Sequence, residues 1–345
     1  MGAALSGAPR AGVLRVQYLL GRARRIDVGS LLRRARAVAA QHDARPLTIL
    51  GDMLVQAAFH QVGFQDYVDF DFAMLTAAER RTMMTHPLSN RLSYTHDHPD
   101  FRHIFHDKWE FDRVFSDLLG REWMLLNAHN IDEFRAFAER HPILITKQQL
   151  GRSGHAIHRY HAEEVENWEA FHQRLLADGE LLIEENIVQH PALAAVCPGT
   201  VNSTRVTAYF DGHRTHVLSL AQKFGRGQAA DQMDWGGFYT MLDADTGTAL
   251  GDGYDSHGNV YRHHPDTGYR IADFALPLYD EVIALIDRAA RRVPRVRYVG
   301  WDIAVTPTGP VIIEGNWGTG VYEVKPSVLG IRTGHRPRFQ KAMGF

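Results

Sequence analysis

One cysteine, Cys197, stands in a chain of 345 residues, so no intrachain disulfide can form and no CxxC pair is present. A reducing cytoplasm is the expected setting. Long apolar runs are missing too. No stretch approaches the roughly 20 residues that a bilayer-spanning helix needs, so no transmembrane segment is expected. The apolar pieces near the start are broken by Arg15, Arg22, Arg24 and Arg25, which is not a signal-peptide pattern. Charge of one sign is also lacking: 38 Lys and Arg offset 40 Asp and Glu, a net −2 that gives no case for a nucleic-acid partner. The chain has no internal repeat, no low-complexity tract and no Gly-rich strand–turn–helix unit of the dinucleotide-binding kind. Its 20 His carry neither HExxH nor a regular ligand spacing, so zinc is not expected. No His can be assigned from sequence as a partner for Cys197, which is not expected to be a nucleophile.

What is present changes character along the chain. Residues 10–45 hold nine Arg against Asp27 and Asp43; a helix over Leu31–Ala44 would keep Arg33, Arg34 and Arg36 on its wet side. A second helix is expected after Asp52, ending near Gly63. Thr76-Ala-Ala-Glu79 is a capping box that should open a third helix running toward His86-Pro87. The His-rich residues 88–106 read as a linker. From Asp107 the pattern predicts an amphipathic helix with Phe111, Val114, Phe115 and Leu118 on one side. A strand 142–147 ending in Lys147 then leads to the loop Gly151-Arg-Ser153-Gly154, and a strand 181–185 ends in Glu184-Glu185. After residue 190 the chain is strand-rich. A hairpin is expected over 202–224, one long helix over Pro277–Arg292, and a second hairpin over Tyr298–Gly320.

That last hairpin carries the sharpest chemical signal. Glu314 and Asn316 are two apart on one strand and share a face, and Asp302 on the paired strand can lie opposite them. Two carboxylates and an amide oxygen form an all-oxygen set suited to Mg²⁺ with phosphates completing the shell. Lys147 at the end of a buried strand beside a Gly-containing loop suits a phosphate. Glu184 and Glu185 point opposite ways, and a salt bridge is the plain alternative for each. Arg205 inside a strand needs an anionic partner, and its fork fits phosphate or carboxylate. Beyond Lys223, the Gly-rich stretch to Gly237 could act as a mobile lid.

In order and spacing these pieces resemble the ATP-grasp superfamily, and within it the sugar-transfer-associated ATP-grasp branch, over roughly residues 65–335. The resemblance rests on Asp66-Tyr-Val-Asp-Phe-Asp-Phe72 with Leu-Thr-Ala-Ala-Glu-Arg, on Asp107-Lys108, Ile-Thr-Lys147 and Leu-Ile-Glu184-Glu185. It continues through Val-Asn202-Ser-Thr-Arg205-Val, Asp231 to Gly237, Gly-Trp-Asp302 and Ile-Glu314-Gly-Asn316. It implies an α+β, ATP-grasp fold: two α+β lobes with ATP between them, here preceded by a mainly helical N-terminal region. The expected division is 1–105 helical, 106–187 small lobe with the phosphate loop, and 188–345 large lobe with the Mg²⁺ site. By the same resemblance Lys108 and Lys147, with the Gly151, Ser153 and Gly154 loop, contact ATP phosphates. Glu184 and Glu185 lie near adenine and ribose, Arg205 and Lys223 reach the transferring phosphoryl group, and Asp302, Glu314 and Asn316 hold Mg²⁺. The implied activity is an ATP- and Mg²⁺-dependent carboxylate–amine ligase working through an acylphosphate, in natural-product, peptide or surface-polysaccharide biosynthesis. A small-molecule or sugar kinase on the same scaffold is the alternative. The partners would be a small-molecule carboxylate and an amine, with a homo-oligomer left open. Arg226, Arg332 and the helical N-terminal region are candidates to bind an acidic substrate. Replacing Asp302 or Glu314 by Ala should abolish turnover and leave the fold intact.

Overall fold

Two antiparallel sheets, each set by runs of alternating or continuous apolar residues, carry the chain, with a helical region ahead of them. The computed structural model describes residues 27–149 and 157–345. The Arg residues before Asp27 and the loop residues Gly151, Ser153 and Gly154 therefore lie outside the described residues. The N-terminal region comprises α1 (Val28–Gln41), α2 (Pro46–Phe59), α3 (Phe64–Asp69), α4 (Ala77–Arg80) and α5 (His86–His96). Then come α6 (Lys108–Phe115), β1 (Trp123–Leu125), α7 (Ile131–Arg140), β2 (Ile143–Lys147), β3 (Ile157–His161), α8 (Trp168–Asp178) and β4 (Leu182–Glu185). These strands form a sheet of order β1-β4-β2-β3. Residues from 191 on give α9 (Pro191–Ala194), β5 (Thr204–Phe210), β6 (Thr215–Phe224), β7 (Phe238–Leu242), β8 (Gly253–Tyr254), β9 (Val260–Tyr261), α10 (Tyr279–Arg292), β10 (Tyr298–Thr306), β11 (Gly309–Asn316), α11 (Pro326–Leu329) and α12 (Arg336–Met343). Their sheet has the order β11-β10-β5-β6-β7-β8-β9. The result is α+β, in two lobes after a helical N-terminal region. Among the described residues no helix is long and apolar enough to cross a membrane.

The large sheet is covered on both faces, as the parity of β7 shows. Phe238 and Leu242 join the core under α10, with Val282, Leu285, Ile286 and Ala289. Tyr239 and Met241, pointing the other way, meet Met53, Tyr67, Phe70 and Phe72 of the N-terminal region. Each such large side chain contributes roughly 1.5–3 kcal/mol by leaving water. The helical region is thus one wall of the large lobe. The small sheet keeps its own core, in which Phe134, Phe137, Leu144, Phe171, Leu175 and Ile183 join α7 and α8 to the strands.

Residues 88–106 are not a linker. Leu88 and Leu92, four apart on α5, are buried against Tyr298 and Phe339. Asp97 accepts hydrogen bonds from the Arg297 and Tyr298 N–H groups at 2.9 and 2.8 Å. Phe105 stands edge-on to Trp301 at 5.8 Å. The polar residues that gave the linker reading lie partly on α5 and partly in the 3-10 segment Pro99–Phe105 that follows it. Two boundaries also move. The second helix starts at Pro46, with proline in its first turn, so Asp52 lies inside it. The Thr76–Glu79 box does form, but it caps a single turn, and His86 begins the next helix instead of ending that one.

Candidate active site

The β10–β11 hairpin forms because two apolar strands flank a turn at Pro307-Thr308, and its register pairs Asp302 with Glu314 and Gly300 with Asn316. On its other side β10 pairs with β5, and there Asp302 faces Arg205. The guanidinium grips Asp302 through two hydrogen bonds, Nε and Nη2 each at 2.8 Å. Lys223 on β6 approaches the same carboxylate at 3.2 Å and Asp231 at 3.4 Å. Asp231 in turn accepts from the Ser203 N–H and hydroxyl, both at 2.7 Å, which pins the middle of the Gly-rich stretch expected to be a lid.

Electrostatics follow from this packing. Burial alone would raise Asp302, but Arg205 and Lys223 outweigh it and hold its carboxyl well below the usual range. Glu314 lacks such a clamp. Burial and the neighbouring Asp302 charge push it up. The Asn316 amide sits between the two carboxylates, its Nδ2 3.2 Å from Glu314 and 3.4 Å from Asp302. Rotating that amide by half a turn would present its oxygen instead. Among the described residues no group of three or more His, Cys, Asp or Glu side chains is placed to hold a metal. This set has two carboxylates and an amide.

The small lobe supplies a second ionic cluster. Lys147, at the end of β2, donates to Glu184 on β4 at 2.6 Å. Arg121 donates to both Glu184 oxygens, at 2.8 and 3.2 Å. It also crosses to the large lobe, bonding the Ile312 and Ile313 carbonyls at 2.7 and 3.3 Å, directly before Glu314. Against the effect of burial, Arg121 and Lys147 hold Glu184 down at about 2. The ion-pair reading therefore holds for Glu184. Glu185 turns the other way and accepts from the Glu122 N–H at 3.0 Å. Asp112 is buried beside this cluster, and burial and then Glu184 push it up to about 8. Lys108 opens α6 behind its Asp107 cap. Burial lowers its pKa, while the Glu314 charge acts in the opposite direction.

Arg121 lies behind the lining; the other charged groups meet at one cleft of about 1110 Å³, with Lys108, Lys147, Glu184 and Glu185 on one side and Arg205, Lys223, Asp302, Glu314 and Asn316 on the other. The residues expected to hold nucleotide, metal and the transferring phosphoryl group, among the described ones, all line this cleft. Arg226 and Arg332 do not. They form paired hydrogen bonds with Asp266 and Glu79, and neither lines the cleft. Arg121 and Asp112 were missed, since a lone Arg in Gly-Arg-Glu-Trp and an Asp on a helix give no periodic signal. Cys197 is buried outside the cleft lining; burial raises its thiol, but His264, which sequence could not assign to it, together with hydrogen bonds from Gly227 and Thr200 brings it down.

Residues 169–328 match the family described as sugar-transfer associated ATP-grasp, a little under half of the chain. No curated protein matches. Solved structures that resemble the chain include the ATP-grasp ligase PsnB complexed with a phosphomimetic variant of its minimal precursor, Mg and ADP. That structure is 14% identical with a TM-score of 0.39, over 68% of this chain and 59% of the other. D-alanyl-alanine synthetase A from Vibrio cholerae O1 biovar eltor is 12% identical with a TM-score of 0.41, over 70% and 61%. D-alanine–D-alanine ligase from Bacillus anthracis is 13% identical with a TM-score of 0.39, over 69% and 62%. This chain spans about 60% of the length of each of these structures.

Proposed function

We propose that the chain is an ATP-grasp enzyme of the sugar-transfer-associated branch, and that it uses Mg·ATP to activate a carboxylate and join it to an amine. A reducing, cytoplasmic setting belongs to the same proposal. The observation that carries the reading is the convergence on one cleft of cations from both lobes with the Asp302, Glu314 and Asn316 oxygens. No nucleophilic side chain of this chain is needed for such chemistry, because positioning and charge stabilisation supply most of the effect in phosphoryl transfer.

In this reading Lys147 and Lys108 hold ATP phosphates from the small lobe, and Arg205 and Lys223 face the phosphoryl group in flight. The carboxylate oxygen of the substrate attacks the γ-phosphorus and the bond to the β-phosphate oxygen breaks, giving an acylphosphate and ADP. The amine then attacks the acyl carbon, phosphate leaves, and the amine loses a proton. The donor set fits a divalent ion: a buried carboxyl whose pKa is raised by an adjacent carboxylate gains most from a cation between them. Asp302, Glu314 and Asn316 would hold Mg²⁺, which when bound neutralises phosphate charge.

The test is phosphate release with amino acids, sugar acids and short peptides supplied as carboxylate and amine pairs. The ligase reading expects ADP and free phosphate only when both partners are present, with an amide found by mass. ADP formation with phosphate retained on a product would favour a kinase. No Mg²⁺-dependent ATP binding at all would overturn both.

A further inference from the structure

Past Arg205 the cleft continues into space that the nucleotide reading does not use. Its walls there are Asp69, Phe70 and His86 from the N-terminal helices and Tyr239, Tyr254 and Tyr322 from the large lobe. The rings form a chain. Arg205 lies 5.5 Å over Tyr322, Tyr322 meets Tyr239 edge-on at 4.8 Å, and Tyr239 packs on Tyr254 at 4.6 Å. Asp69 stands close to Tyr239, in the middle of that chain. After burial, its charge is the largest influence raising the Tyr239 hydroxyl.

The carboxylates around Asp69 are already satisfied. Asp66 is taken by His86, Asp71 by Lys325 at 2.9 Å, and Asp255 by four donors: the Asn259 amide, the Tyr261 hydroxyl and the His257 and Asn259 N–H groups. Asp69 is different. It is partly buried, and among the described residues its side-chain hydrogen bond comes from the neutral Gln65 amide, at 2.6 Å. Lys325 bonds the Asp69 backbone carbonyl at 3.1 Å and, like His86, acts on the carboxyl only through space, and burial outweighs both. A partly desolvated carboxylate without an ion pair of its own, beside electron-rich rings, favours a cation. An anionic group there would be repelled, and Arg205 keeps the opposite sign for the other end of the cleft.

We propose that this end of the cleft is a subsite for a cationic nitrogen group of the acceptor substrate. An alkylammonium or guanidinium is held by Asp69 over the Tyr239 and Tyr322 rings, while the reacting end lies at Arg205 and Lys223. The inference rests on the proposed reading of that end as the place of reaction. It assigns specificity to the helical N-terminal region and deepens that reading from any amine to an acceptor with a distal positive charge.

Saturation-transfer NMR with pentylamine, 1-pentanol and pentanoate as probes of equal length tests it on the full chain. Pentylamine is expected to bind at millimolar concentration about tenfold more tightly than either of the others, as a charge-assisted hydrogen bond implies. Asp69→Asn, which keeps shape and the Gln65 contact, is expected to erase that preference. Equal binding of the three, a preference for pentanoate, no binding of pentylamine, or a preference that survives in the variant would each overturn the subsite. The wild-type comparison decides even if the variant folds poorly. ATP displacement of a fluorescent nucleotide, measured on the wild-type protein alongside, reports separately on the nucleotide reading.

Discussion

The two lobes bury ionic clusters of similar construction and opposite balance. In the small lobe Arg121 and Lys147 surround Glu184, while Asp112 beside them is pushed up to about 8 and so stays largely neutral. In the large lobe Arg205 and Lys223 are matched by Asp302 and Asp231, with Glu314 in addition. One wall of the cleft is therefore biased positive and the other carries the spare carboxylate. A nucleotide triphosphate with a divalent ion carries both signs, and a cleft with walls of opposite bias suits it better than a uniformly basic one. Arg121 belongs to both clusters, since it bonds Glu184 and the carbonyls leading into Glu314.

The largest expected effect comes from Asp302. Its removal leaves Arg205 and Lys223 buried without their shared partner, so Asp302→Ala should cost about 3–5 kcal/mol of stability in urea unfolding. The expectation that this variant keeps its fold intact is thus revised by the pairing. Glu314→Gln is the cleaner probe of chemistry: it should unfold as the wild type does while Mg·ATP turnover falls about a hundredfold or more. Equal turnover in Glu314→Gln would erase the contrast between the walls.

Next in size is Arg121→Met, which removes the shared strut. A loss on the order of 2–4 kcal/mol is expected because Glu184 keeps only Lys147, with a rise in KM for ATP larger than the fall in kcat. Arg121→Lys should recover the stability in part, but not KM, since an ammonium cannot span both lobes as the fork does.

Most of this contrast could be read from sequence on the large-lobe side. Alternation puts Glu314 and Asn316 on one face, but the turn alone would set Asp302 opposite Ile313; a bulge between Asp302 and Ile303 in the pairing, which the sequence does not announce, brings Glu314 there instead. Lys147 stood out as a charge ending a buried strand. The small-lobe partners did not, because Arg121 and Asp112 lie on elements too short or too mixed to show a period, and their meaning depends on Glu184 more than sixty residues away. The role of residues 88–106 was hidden for a different reason. Two leucines four apart are a thin signal among so many polar residues, and the strands that bury them come roughly one to two hundred residues later.

A smaller effect separates the interlobe charges from purely structural ones. Asp97 sits on the N-terminal side of the large sheet and is pushed up to about 8 by burial, despite the Tyr298 and Arg297 N–H donors. It stays protonated in the folded chain while the unfolded chain ionises above the ordinary value of 3.8. The unfolded state then binds fewer protons between those values, so stability falls as pH rises from about 4 to about 8. Asp97→Asn should flatten that slope and raise stability at pH 8, with little change near pH 4, as read from Tm across pH. Smallest is Thr76→Ala, which breaks the cap formed by Thr76 and Glu79 and should cost about 1 kcal/mol with turnover unaffected.

The most direct test of the two-walled cleft is equilibrium binding of ATP with and without Mg²⁺ in wild type, Lys147→Met and Glu314→Gln. The account predicts that wild-type binding strengthens with Mg²⁺, that Lys147→Met weakens it about tenfold or more whether or not the ion is present, and that Glu314→Gln removes the gain from the ion. Wild-type affinity and Mg²⁺ response in both variants would contradict it.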